Sequence, residues 1–335
     1  MRLPTAALLP WVLLLGILLP GTPLQARAEE PWVVVQSAHV TAYSDSGAEA
    51  TQELIQRFES MRELLRPVFP PVPGRTLPLT LVINRNRASM RLFIPDLFKE
   101  KDPYMHGGAF LVDAEGAFAF IPVEMDLSAK RHSMVVLHRY VHVSLRQNAA
   151  NLPFWLQEAF ASLYGHSEFR GAQVLVGQVP MGLLAGLKYR ATSLLPLEDL
   201  MTLKEETVQT WTRDQRVGFQ LQSWILLHYL LFDPDALKAG LLGSYLKGIR
   251  TLKDPGLAAR ESLGDLNQLK VLLMIYARKR VHTYWTYPLP SKLRAADLQV
   301  RPLAEAELKA LQARCVDLST RTVDPCLIAR EDQNY

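Results

Sequence analysis

His138 and His142 stand four residues apart in the run His138-Arg139-Tyr140-Val141-His142. In a helix that spacing puts both imidazoles on one face, where they can share one metal ion. The residue beside the first histidine decides what such a site can do. A glutamate there, as in the pattern H-E-x-x-H, takes a proton from the water on the metal. Here the position is Arg139, which stays protonated at any working pH and has no acceptor atom. The run offers a metal site and withholds the base. A guanidinium about 5 Å from a dication is repelled by on the order of 6 kcal/mol at an effective dielectric of about 20. Two arrangements relieve that repulsion. Arg139 can swing to solvent or to an acid and leave the metal bound, or it can pair with Glu158 and replace the metal with a salt bridge.

Glu158 follows His142 by sixteen residues. A site with two histidines needs one more donor, often a carboxylate from a following helix. A glutamate among Trp155, Leu156, Phe160 and Leu163 is costly to bury without a metal or a cation as partner. A plainer reading stays open, with Glu158 on the solvated face of its helix and both histidines on the polar side of another. If a base exists elsewhere, Glu124 and Asp126 are the nearest candidates in the sequence.

Several elements must position these residues. Trp32–Gln36 and His39–Tyr43 are short runs with strand character. Ser46 and Glu49 form a capping-box pattern, and Leu54, Phe58, Met61 and Leu65 repeat at helical spacing. Leu79–Ile83 reads as a strand, Ala88–Phe93 as a short helix and Pro95–Gly108 as a loop. Ala109–Val112 and Ala117–Ile121 flank the turn-rich Asp113-Ala114-Glu115-Gly116 and read as a hairpin. The remainder reads as almost entirely helical: 128–147 with the histidines, Phe154–Tyr164 after Pro153, then Gly218–Leu231, Asp235–Ile249, Asp265–Lys279 and Leu303–Arg314.

Arg2, the apolar run Ala6–Leu19 and the small-x-small Ala26-Arg27-Ala28 make residues 1–28 a signal peptide, so a secreted or periplasmic, cell-envelope location is expected. A retained anchor is the other reading, although the run is short for the ~20 apolar residues a span needs. Cleavage removes two arginines and no acid, which lowers the formal charge from +4 to +2. With its basic residues scattered, the chain lacks the footprint of a nucleic-acid binder. Cys315 and Cys326 are the two cysteines of the chain. In an exported protein an isolated close pair reads as one local disulfide, with two free thiols as the alternative.

The two motif segments together resemble the gluzincin metallopeptidases, and specifically the secreted bacterial peptidase-MA-like proteins. In that family an H-E-x-x-H helix is followed by a W-L-x-E-G-x-A helix whose glutamate is the third zinc ligand. The matching residues are His138, His142 and the run Trp155-Leu156-Gln157-Glu158-Ala159-Phe160-Ala161. Gln222-Ser223-Trp224 with His228-Tyr229-Leu230 resembles a later helix of the family, and the likeness extends from about Trp32 to Arg280. Three positions depart. Arg139 replaces the catalytic glutamate, Ala159 the usual glycine, and Phe219 a tyrosine that relatives often carry as an oxyanion donor.

The resemblance implies an α+β, gluzincin-like fold with zinc on His138, His142 and Glu158. A small N-terminal α/β layer (29–125) would precede a helical part (126–290) and a C-terminal tail (291–335) holding the disulfide. The expected function is a degenerate metallopeptidase-like protein that binds a peptide or protein ligand without efficient hydrolysis. Its cleft, with an edge strand over 117–121, suits an extended peptide held by strand addition. An active peptidase with a relocated base and a metal-free scaffold are the alternatives. Nothing in the sequence sets the oligomeric state.

Overall fold

The structure, a computed structural model, describes residues 31–71, 77–98, 108–123, 132–149, 151–179, 186, 194–289 and 297–321. The chain is α+β, with an N-terminal sheet followed by helices. The expected signal peptide lies outside the described residues. Among those described, no helix is long and apolar enough to cross a membrane.

Strands β1 (Val33–Gln36) and β2 (Val40–Ser44) pair antiparallel. Helix α1 (Ala48–Leu65) then carries the chain back, so that β3 (Leu79–Asn84) pairs parallel with β2. A parallel pair needs such a crossover. The capping box expected at Ser46 does not form. Gly47 takes the N-cap position with φ 85°, and no side chain caps the helix. That left-handed residue sets Ser46 outside the first turn, where its hydroxyl faces Asp45 at 3.5 Å.

Helix α2 (Arg87–Arg91) and a 3-10 turn at Pro95–Phe98 precede the hairpin of β4 (Ala109–Val112) and β5 (Ala117–Pro122). The sheet order is β4-β5-β3-β2-β1-β9, with β9 at Gln299–Pro302. The expected edge strand is therefore misplaced: β5 is flanked by β4 and β3 and fully buried, and among the described residues the sheet ends on β4 and β9. Alternation along the strands feeds two cores. Leu81, Ile83, Ala119 and Ile121 face α1 and the helical part, whereas Val82, Phe118 and Phe120 face Met90, Phe93, Cys315 and Leu318.

The helical part begins with α3 (His132–Asn148) and α4 (Phe154–Gly165). It is not purely helical. Strands β6 (Glu168–Arg170) and β7 (Gln173–Val176) join β8 (Trp285–Pro288) in a second sheet. Between them come α5 (Leu197–Thr202), α6 (Glu205–Gln209) and α7 (Arg213–Phe232). The helix expected over Asp235–Ile249 is two, α8 (Pro234–Lys238) and α9 (Leu241–Leu252), because Gly240 turns left-handed at φ 62°. Helices α10 (Pro255–Leu263) and α11 (Leu266–Tyr276) follow.

The C-terminal segment is an integral layer rather than a tail. β9 pairs antiparallel with β1, and α12 (Glu305–Arg321) covers the second core. Arg314 reaches the β4–β5 turn, 2.6 Å from Asp113 and 2.7 Å from Glu115. Cys315 lies inside α12, buried and without a disulfide among the described residues, and Cys326, its expected partner, lies outside them.

Candidate metal centre

Helices α3 and α4 pack against each other, and each contributes one face to the site. His138 and His142 share a face of α3 at i, i+4, and Glu158 points from α4 between them. All three are buried, at 6%, 2% and 5% exposure, so the solvated-face reading of Glu158 is excluded. Nε2 of His138 is 3.1 Å from Nε2 of His142. Nε2 of His142 is 2.9 Å from Oε1 of Glu158, and Nε2 of His138 is 3.7 Å from Oε2. Neighbouring donors on a tetrahedral zinc at about 2.0–2.2 Å stand about 3.3–3.6 Å apart, so the three separations bracket that spacing. This buried group could hold a metal ion, since one donor atom from each residue lies within 4.8 Å of the others.

The protonation states suit the same purpose. Burial and the adjacent His142 hold His138 well below the ordinary imidazole range; Arg139 and His166 push the same way against Glu158. Burial alone would raise the Glu158 carboxyl. The charge and hydrogen bond of His142, with the charges of His138 and Arg139, outweigh it and bring the group down to about 2. At neutral pH, His138 is neutral and Glu158 is ionised, as metal ligands must be. Oε2 of Glu158 is buried and accepts no hydrogen bond, an expensive state for a carboxylate that a bound cation would relieve. The donor set, its spacing and this unmatched oxygen fit a metal ion. One feature departs from the usual pattern: a metal-binding histidine normally donates its other ring N–H, and Nδ1 of His138 is buried without a partner.

Arg139 is half-buried beside the first histidine and acts on both His138 and Glu158 through its charge. Oε1 of Glu158 is directed to His142. Glu124 and Asp126, the candidate relocated bases, lie outside the described residues. Phe219 is a packing residue, 2% exposed and stacked on Phe154 with centroids 5.4 Å apart. His228 is also structural. Its Nδ1 is 2.8 Å from the Tyr276 hydroxyl and its Nε2 is 2.8 Å from the Gly177 carbonyl.

Two neighbours of the site have no signal in the sequence strong enough to find them. Gly165 ends α4 against the backbone of His138; a Cβ there would lie 2.8 Å from the His138 Cβ and 2.9 Å from its Cα. Only a glycine allows α3 and α4 this close. His166 follows, with Nδ1 2.6 Å from the Ser162 carbonyl and Nε2 buried without a partner. The short bond to a carbonyl places the ring proton on Nδ1 and leaves Nε2 an acceptor. Burial lowers its pKa.

No protein-family model matches this chain, and no curated protein matches it.

Proposed function

We propose that this chain is an exported, gluzincin-like protein that holds zinc on His138, His142 and Glu158 and binds peptide without efficient hydrolysis. The convergence of these three buried side chains, with Glu158 ionised and His138 neutral, carries the reading. Zinc bound there supplies a Lewis acid able to polarise a peptide carbonyl. Arg139 cannot accept a proton, and general acid–base help of typically ~10²–10⁴-fold is lost with the glutamate it replaces. Phe219 offers no hydroxyl to a developing oxyanion. Binding therefore outlasts chemistry.

The test is zinc content and cleavage of a mixed peptide library by the mature chain and its Arg139→Glu variant. The expected result is zinc in both proteins and chelator-sensitive cleavage gained only in the variant. Robust cleavage by the unmodified chain would show that another residue serves as base. Absence of metal from both proteins would favour a metal-free scaffold.

A further inference from the structure

Helix α11 buries one side and leaves the other apolar as well. Leu266, Leu269, Leu273 and Tyr276 recur at helical spacing and lie in the core. A surface helix ordinarily carries polar residues on its opposite face. Here Val271, Leu272 and Ile275 stand there, at 60%, 47% and 56% exposure. Ile275 neighbours Leu272 at i, i+3 and Val271 at i, i+4. Val281 and Tyr284 follow in the chain and are also exposed. Single exposed apolar residues are ordinary. These are not scattered, because five of the ten large apolar side chains exposed among the described residues fall within 271–284.

The charge of the same stretch has one sign. From Leu266 to Ala296 the sequence holds no aspartate or glutamate, against Lys270, Arg278, Lys279, Arg280, Lys292 and Arg294. The chain turns directly out of α11, with the Arg278 N–H donating to the Ile275 carbonyl at 3.1 Å. Arg278 therefore sits at the end of the apolar face. Lys279 is already engaged, 3.1 Å from Asp233 and 4.6 Å from the centre of the Tyr276 ring. Arg278 and Arg280 are exposed and pair with no acid among the described residues. The negative end of α11 favours nearby cations, yet that accounts for neither the apolar face nor the lack of any acid.

Exposed aliphatic side chains on one helix face, bordered by unpaired cations, suit a surface that is apolar beneath and negative on top. Helices that lie in the plane of a membrane have this composition. The acyl boundary takes the aliphatic groups, and the long stems of the arginines let their charges stay with anionic headgroups.

We propose that α11 and the Arg278–Arg280 turn dock this protein on the surface of an anionic lipid bilayer. Val271, Leu272 and Ile275 enter the boundary between headgroups and acyl chains, and Arg278 and Arg280 remain among the headgroup phosphates. The docking needs no membrane span and does not depend on the metal centre.

The test is cosedimentation of the purified protein with vesicles of phosphatidylcholine and phosphatidylglycerol in equal parts, beside vesicles of phosphatidylcholine alone. The expected result is binding to the mixed vesicles and little to the neutral ones. Added salt should weaken it, because screening shortens the reach of exposed charges. One Lys or Arg near an anionic surface is worth about fivefold in affinity, so Arg278→Gln with Arg280→Gln should weaken binding about 25-fold. Arg278→Lys with Arg280→Lys should keep it. Ile275→Ser should weaken it several-fold while circular dichroism shows the helices retained. Undiminished binding by the glutamine and serine variants would overturn the proposal, and so would equal binding to both kinds of vesicle. Absence of binding to either would also overturn it; a dimer that Ile275→Ser dissolves would then assign the face to a second copy of this chain.

Discussion

Gly165→Ala tests whether the close approach of α3 and α4 holds the site. The added Cβ would stand 2.8, 2.9 and 3.1 Å from Cβ, Cα and N of His138. Carbon atoms settle at about 3.5–4.0 Å, so the helices must part by about 0.7 Å at this point. Two of the three atoms are backbone and cannot rotate aside. Overpacking of this kind costs about 1–3 kcal/mol. Alanine returns up to about 1 kcal/mol over glycine inside a helix, and less at the last residue. The expected net loss is about 1–2 kcal/mol, read as a lower urea midpoint of the metal-free protein. The same displacement carries His138 away from Glu158, and metal–ligand distances tolerate only about 0.2 Å. Zinc affinity, measured by competition with a chromophoric chelator, should fall about tenfold or more. Unchanged stability together with unchanged affinity would refute the contact argument. It would mean that the helix pair is slack where the structure shows it tight.

Three further outcomes are expected. Arg139→Gln removes the positive charge without supplying a base, so it should tighten zinc binding and leave peptide cleavage absent; weaker zinc binding would contradict the repulsion argument. Burial holds His228 down at about 4, against 6.5 for an ordinary imidazole, so the unfolded chain takes up this proton first as pH falls. Its stability contribution is intact above pH 6.5 and shrinks toward pH 4 by up to about 3 kcal/mol. His228→Gln should therefore flatten the fall in urea midpoint between pH 6.5 and 4, and an unaltered slope would contradict the burial argument. Burial also pushes the Cys315 thiol up to about 12, so it should resist alkylation in the native protein and react on unfolding without reductant. A native mass two hydrogens light would instead support the disulfide expected from the sequence.

Much of the site was legible because its signal is local. His138 and His142 are fixed by helical periodicity alone, and Glu158 stood out as an acid in an apolar helix. Arg139, in place of the glutamate of an H-E-x-x-H helix, was equally plain without a structure. The strands from Val33 to Pro122 were readable for the same reason, each being a short β-branched or alternating run beside a turn. What escaped the sequence was set by distant partners. Gln299–Pro302 is four exposed residues with no alternation, and it is a strand because it pairs with β1, Val33 with Pro302 and Gln36 with Gln299, from the far end of the chain. Trp285–Pro288 is likewise a strand only against β7. The edge of the main sheet was misassigned because the hairpin folds back with β5 inward, which pattern cannot decide when both strands are apolar. Gly165 carried no mark at all, since its role is defined by the His138 backbone packed against it.

The most direct measurement is zinc per chain after equilibrium dialysis of the purified protein, beside His138→Ala, His142→Ala and Glu158→Ala. The expected result is one zinc per unmodified chain, and loss of tight binding in each variant while circular dichroism shows the helices retained. No zinc in the folded unmodified chain, or undiminished zinc in Glu158→Ala, would contradict the three-ligand centre.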